Sequence, residues 1–385
     1  MADYTWDLYA SIDAADIDAW EEIRHSGDPF SDPRFLRAVE LSMAAHCRLW
    51  HMIVRDGTGD PVACATLSLF RVDLTVVAST LAKRIVGRVR KAVPSFLRLK
   101  ILFCGIPVST GQCSLLMTAT AEPKKVLSLV DRAMLDLAAQ EHALLLCHKE
   151  FSDVHRRCID ELAATGYLCA NTPPMHYFPQ HHDFSSYLAS LNAHYRYDIR
   201  RSMRKAERAG VEIVRLEDPN AIRRRYNPEL HHLYVAVVER SEHQLELLPL
   251  DFFHELVRQF PGQVGLTIAT IAEKVVAFNW SLSTPSSYHL LFCGIDYRVN
   301  TQVDLYLNLM YAELAYTLKT GISKVQMGQT ADTFKARLGC EPESRYICVK
   351  SRYRPITRLI KAFSSVLFPP VPAAQHYQIY KEAPR

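Results

Sequence analysis

The pentapeptide LFCGI occurs twice, at residues 102–106 and at residues 291–295, 189 positions apart in a chain of 385. A five-residue match arises by chance, so its surroundings decide what it marks. Around the second copy the pattern is clear. VEIVRL (211–216) alternates like a strand and follows Gly210, a helix stop. Asp218-Pro219-Asn220 opens a helical stretch through Glu239, and LDFFHELVRQF (250–260) forms a second helix ended by Pro261-Gly262. GLTIATI (265–271), VVAFNWSLS (275–283, after a tight AEK turn) and SYHLLFCGI (287–295) then read as three strands. DLYLNLMYAELAYTLKTG (304–321) has apolar residues at helical spacing and a glycine stop. KVQMG (324–328) reads as a strand, TFKARLG (333–339) as one or two helical turns, and SRYICVK (344–350) as a last strand.

The first copy has similar surroundings. YTWDLYA (4–10) reads as a strand, IDAADIDAWEEIRHS (12–26) and DPRFLRAVELSMAA (32–45) as helices, and RLWHMIVRDGTGDPVACATLSLF (48–70) as a hairpin on a DGTGD turn. After an extra segment come KILFCGI (100–106), the helix KKVLSLVDRAMLDLAAQEHA (124–143), the strand LLLCHKE (144–150), the helix SDVHRRCIDELAATG (152–166) and the strand YLCA (167–170). LFCGI thus occupies one slot in both halves, the central strand before the long helix. Few other residues match. The repeat rests on order and spacing, and predicts an α/β (α+β mixed sheet) protein of two copies of one unit, 1–182 and 183–385.

Composition is that of a soluble globular chain: 49% hydrophobic, 22% charged and a net charge of +4, too small by itself to imply a nucleic-acid partner. Ten cysteines without CxxC pairs read as reduced core residues. His181-His182 and His231-His232 lack the spacing and companions of a zinc site, so no metal is expected. The acidic, polar-interrupted N-terminus is unlike a signal peptide, and no run of about 20 apolar residues could span a bilayer. A cytoplasmic protein is expected, with contact to the inner membrane as a further option.

The order strand, two helices, three antiparallel strands, long helix, strand, helix, strand is similar to the acetyltransferase fold of the GNAT superfamily. Two such domains in tandem resemble its FemAB-like branch, whose members form amide bonds, and its BioF2-like relatives. LNAHYRYDIRRSMRKAERAGVEI (191–213) looks like that group's arginine-rich helix leading into the second domain. The block 294–339, ending in QTADTFKARLG, resembles its C-terminal block, in which a lysine lies near a terminal glycine. The resemblance implies an acyl or aminoacyl transferase acting on a substrate amine, carried by a small molecule or peptide.

On the stretch 183–209, Arg196, Arg200, Arg204 and Arg208 recur every fourth residue, with Arg201 and Lys205 beside them. The expected core stripe is Leu188, Leu191, Tyr195, Ile199 and Met203. The basic face is either solvated or a site for an anionic substrate, for which guanidinium forks are suited; Arg223-Arg224-Arg225 could extend it. CoA-dependent GNAT enzymes carry a Gly-rich loop after the central strand, whose bare N–H groups meet pyrophosphate. Here that loop reads GIDYRVNTQVD (294–304), and in the first half GIPVSTGQ (105–112). The donor therefore stays open between aminoacyl-tRNA, acyl-CoA and an acyl-carrier protein, with no bound cofactor expected.

No nucleophile motif is present, which suits direct attack of an amine on a thioester or ester carbonyl. Such a step needs a base and a donor toward the developing oxyanion. The resemblance places Lys335 in the electrostatic role. Asp304 is a candidate base, and Tyr306, Asn308 and Gln329 border the same expected cleft. KRIVGRVRKAVPSFLRLK (83–100) and RYRPITRLIKAFSSVLFPPVP (352–372) alternate cations with apolar residues. Each reads as a surface helix or as a contact for anionic lipid or an acidic carrier protein. A non-catalytic protein that binds an anionic partner is the competing reading of the whole chain.

Overall fold

The computed structural model describes residues 3–24, 27–73, 88, 98–108, 111–241, 247–371 and 377–381. The chain divides into two compact units that share out its segments: 1–173, 242–252 and 344–372 in the first, 174–241, 253–343 and 373–385 in the second.

In the first unit the sheet runs β1 (Thr5–Tyr9), β2 (Cys47–Arg55), β3 (Pro61–Asp73), β4 (Arg98–Cys104), β6 (Leu145–Phe151), with β5 (Leu115–Met117) on the flank of β3. Neighbours are antiparallel except β4 and β6, which are parallel. The β2–β3 hairpin turns where expected: Asp56 Oδ1 accepts from the Thr58 amide at 2.9 Å, and Gly59 takes φ +94°. Helix α3 (Pro123–Gln140) buries Val126, Val130, Met134 and Leu137, a stripe at helical spacing, in the core formed with β2–β4 and β6.

The second unit repeats this order strand for strand. Its strands β8 (Val211–Leu216), β9 (Val264–Ile271), β10 (Lys274–Ser283) and β11 (Ser287–Ile295) are antiparallel, and β11 then runs parallel to β12 (Lys324–Gln326). Ala272 and Glu273 make the β9–β10 turn, both at positive φ. The two LFCGI copies therefore lie on the fourth strand of their units. Cys104 faces Leu67 across the β3–β4 ladder, and Cys293 faces Asn279 across β10–β11. Their glycines answer a shared demand for a bare backbone. A Cβ on Gly105 would lie 2.6 Å from the Lys149 stem, and one on Gly294 2.2 Å from the Phe278 ring. The copies differ in reach along the parallel neighbour. Cys104 still pairs with His148, whereas the β11–β12 ladder stops at His289.

Each unit is completed by a strand from elsewhere in the chain. The ladder beside β6 is supplied by Tyr346–Ser351 of β13 (Glu341–Ser351), and the one beside β12 by Tyr177 and Phe178 of β7 (Leu168–Phe178). A contiguous cut at 182/183 is thus corrected: hydrogen-bond ladders between residues far apart in sequence place 344–372 with the first unit. Cys169 and Cys348, both in the first unit, form a disulfide, which corrects the reading of all ten cysteines as reduced.

Three further corrections concern helices. The arginine-rich stretch is two helices, α5 (Phe184–Ser190) and α6 (Ala193–Arg208). The break falls where Leu191 bridges to Tyr380 and the Asn192 amide donates to the Ile379 carbonyl at 2.8 Å. The break resets the helical phase: α6 buries Ile199, Ser202 and Ala206, and leaves Met203 exposed. The stretch 219–239 is likewise α7 (Pro219–Arg225) and α8 (Pro228–Arg240), with Asn227 capping the second. After α9 (Leu250–Gln259), the expected loop 294–304 instead holds helix α10 (Tyr297–Val303), capped by Asp296. Asp304, in the left-handed region, separates it from α11 (Leu305–Thr320). No helix of the described residues is long and apolar enough to cross a membrane.

Candidate functional site

Lys335 lies on α12 (Asp332–Leu338), the short helix that follows β12, and it is 1% exposed. Its Nζ approaches Gly328, in the turn between β12 and α12, and has no hydrogen bond or ion pair among the described residues. Burial lowers its ammonium pKa to about 8, against the opposing pull of Cys340, Asp332 and Cys293. Both cysteines are themselves held as thiols by burial, Cys293 pushed up to about 11 and Cys340 to about 12. A lysine is rarely buried without a partner. Here it waits at the end of the second unit's central strands.

His176, 2% exposed, shares this place. Its backbone amide donates to the Gly328 carbonyl at 3.1 Å, and its Nδ1 lies 3.4 Å from the same oxygen. A carbonyl only accepts, so Nδ1 carries the proton in the neutral ring and Nε2 presents its lone pair, 3.8 Å from Asp332. Burial, and then the Lys335 charge, lower the His176 pKa. Asn279 is on the same sheet face as Cys293, its cross-strand partner, and its buried Nδ2 has no hydrogen-bond partner among the described residues.

The other expected residues fall into two groups. Tyr306 is beside Lys335's helix, its ring packed edge-on to Phe334 at 5.3 Å, and burial raises its hydroxyl pKa so that it stays protonated. Gln329 follows Gly328 directly and is partly buried. Asp304 and Asn308 instead lock α11 onto α6. The Asp304 carboxylate takes the Lys205 ammonium at 2.6 Å, and Asn308 Nδ2 donates to Ser202 Oγ at 3.2 Å and to the Asp304 carbonyl at 2.9 Å. Along α6, Arg196 is partly buried and turns back to the Leu191 carbonyl at 2.9 Å. Arg200, Arg201, Arg204 and Arg208 are exposed and have no ion pair among the described residues. Arg337 binds Asp198 at 2.9 Å.

Sequence reading missed His176 and Asn279. The first joins the site only through strand exchange, and an asparagine inside an apolar strand was the one signal for the second. The second unit also buries an ionic network, in which Arg215 Nη1 donates to Tyr288 Oη at 2.8 Å and lies 3.4 Å from the Glu313 carboxylate. The first unit has its own buried pair, Lys149 and Glu150, 3.8 Å apart. Burial raises the Glu150 pKa, and its carboxylate accepts from the Gly111 amide at 3.1 Å. Among the described residues no group of three His, Cys, Asp or Glu side chains could hold a metal.

Residues 193–336 match the family model of an acetyltransferase (GNAT) domain. No curated protein gives a significant sequence match. Among solved structures, a tandem GNAT protein from the clavulanic acid biosynthesis pathway aligns over 90% of this chain and 98% of its own, at 12% identity and a TM-score of 0.54. The C-terminal domain of a putative lysylphosphatidylglycerol synthetase from Agrobacterium fabrum aligns over 91% and 96%, at 11% identity and 0.52. FemX aligns over 84% and 92%, at 11% identity and 0.51. The segment 193–336 is thus similar to a GNAT domain. The chain shares the fold of the tandem GNAT protein over 90% of its length.

Proposed function

We propose that the second unit joins an acyl or aminoacyl group to a substrate amine, by direct attack of the amine on the donor's thioester or ester carbonyl. The observation that carries this reading is Lys335: a buried amine with no hydrogen-bond or ion-pair partner among the described residues, beside neutral His176. The substrate nitrogen forms the new C–N bond, the carbonyl oxygen gains charge, and the C–S or C–O bond to the carrier then breaks. Lys335, as an ammonium, offsets the charge on that oxygen in a site shielded from water, where one such donor is worth roughly 3–4 kcal/mol. His176 Nε2 accepts the proton that the attacking amine sheds. Asn279 Nδ2 supplies a second donor on the same sheet face. Tyr306 and Gln329 border the reacting groups. Asp304 and Asn308 act at one remove, by fixing α11 against α6.

In this reading the exposed arginines Arg200 and Arg204, with Arg196 at their N-terminal side, take the anionic part of a substrate or donor. Three donor classes fit: aminoacyl-tRNA, acyl-CoA and an acyl-carrier protein. The test is mass gain in a panel of small amines and short peptides, incubated with enzyme and each donor class in turn. Gain with one class, lost in Lys335→Met, supports the reading. No gain with any of the three, from a protein that is folded, rejects it.

A further inference from the structure

Helix α13 (Arg354–Ala362), in the first unit, is followed by α14 (Ser364–Leu367). None of α13's nine residues is buried. Its sequence sorts into three stripes at helical spacing. Ile356 and Ile360 are partly buried, on the side where Thr357 is tied to Ser351 by hydrogen bonds of 3.0 Å in both directions. Leu359 and Phe363 form the second stripe, 57% and 54% exposed, with Tyr353 at 45% just before the helix. Arg354, Arg358 and Lys361 form the third, exposed and without an ion pair among the described residues. From Arg352 to Pro372 the chain has four cations and no acidic residue.

We infer that α13 is a docking surface for a bilayer with anionic headgroups, in which the helix lies in the interface. Charge complementarity selects this occupant. A solvated helix has no use for a leucine and a phenylalanine one turn apart and more than half exposed. A water-facing protein partner of acidic character would draw on the cations alone. A bilayer takes both: Leu359 and Phe363 enter the acyl boundary, while Arg354, Arg358 and Lys361 extend their stems and reach phosphate at the headgroup level. Tyr353 suits the same depth, its ring apolar and its hydroxyl wet. The inference stands whichever reaction the second unit performs. The segment 83–100, the other basic-apolar stretch, lies outside the described residues but for Arg88 and Arg98–Lys100.

The test is flotation of the full chain with vesicles of phosphatidylcholine alone and of phosphatidylcholine with about 30% phosphatidylglycerol, at low and high salt. Binding is expected to the anionic vesicles only and to weaken with salt. Leu359→Ser with Phe363→Ser is expected to lose at least tenfold in partitioning, and Arg358→Gln with Lys361→Gln severalfold. Equal flotation with both compositions overturns the inference, as does a serine variant that floats like wild type. It is also overturned if the serine variant changes only the oligomeric state, or only the capture of an acidic carrier protein. These residues are exposed, so unfolding should be unchanged. If it is not, Leu359→Trp replaces the serine variant: its emission must shift to the blue with anionic vesicles, and an unshifted emission rejects the inference.

Discussion

The Lys335 amine lies 3.5 Å from the point at which a side chain on Gly328 would begin. That spacing is ordinary contact, so what calls for glycine at 328 is its φ of +83°, and the buried amine beside it has the Coulombic pull of Asp332 but no ion pair among the described residues. Such an arrangement costs stability and makes sense as chemistry.

That cost gives the first prediction. Lys335 has its pKa depressed from 10.5 to about 8. Below pH 8 both folded and unfolded chains hold the proton, and the buried cation is a burden of roughly 3 kcal/mol. Between about 8 and 10.5 the native state has shed the proton and the unfolded state keeps it, so stability rises with pH across that window. Lys335→Met should unfold several degrees above wild type at pH 7, lack this rise, and turn over roughly 10²–10³ more slowly. Thermal melts at pH 7 and 10 beside steady-state rates check it; a variant less stable than wild type at pH 7, or one as active, contradicts the assignment.

His176 sets the second. Its pKa is lowered from 6.5, so kcat/KM should rise with pH along an acid limb centred below 6.5, as the ring loses its proton and becomes a base. An alkaline fall near pH 8 should belong to Lys335, whose charge is lost there. His176→Gln should flatten the acid limb and leave the alkaline one. A pH–rate profile that keeps its acid limb in this variant removes His176 from the reaction.

The α6 arginines give the third. Arg200→Gln with Arg204→Gln should raise KM for an anionic donor more than it lowers kcat, with a larger effect at low salt than at high salt because screening already shortens the reach of exposed charges. A KM unaltered at low salt would return this face to plain solvent exposure.

The fourth concerns the buried network of β8 and α11. Arg215→Met leaves the Glu313 carboxylate buried beside Tyr288, and should cost about 3–5 kcal/mol in chemical denaturation. Adding Glu313→Leu should recover most of it, since the charge left unpaired is what costs. If the double variant is no better than the single one, packing rather than charge holds the network.

Local pattern told most of the fold. Period-two alternation and glycine stops gave the strands and α11, and LFCGI marked the fourth strand of both units because each copy needs a bare glycine at a close approach. What it missed depends on partners far along the chain. The break at Leu191 comes from Tyr380, the disulfide joins Cys169 to Cys348, and His176 is held by Gly328. Periodicity within a segment contains none of these pairings. Lys335 was found by resemblance to a family, and its depth could not be read from a lysine in an amphipathic helical turn. Asp304 was read as a base because it begins a helix; Lys205, 99 positions earlier, takes its carboxylate instead.

The exchanged strand also sets a timetable for biosynthesis. The first unit's other strands leave the ribosome early, yet the edge of β6 that pairs with Tyr346–Ser351 stays bare until those residues are made. By then every strand of the second unit has already emerged, the last being Lys324–Gln326. The unit begun first thus waits for residues made after nearly all of the second, which gains only 373–385 later. A translation product that stops before residue 346 would display an open, largely apolar strand edge, the kind that recruits chaperones or a second nascent chain.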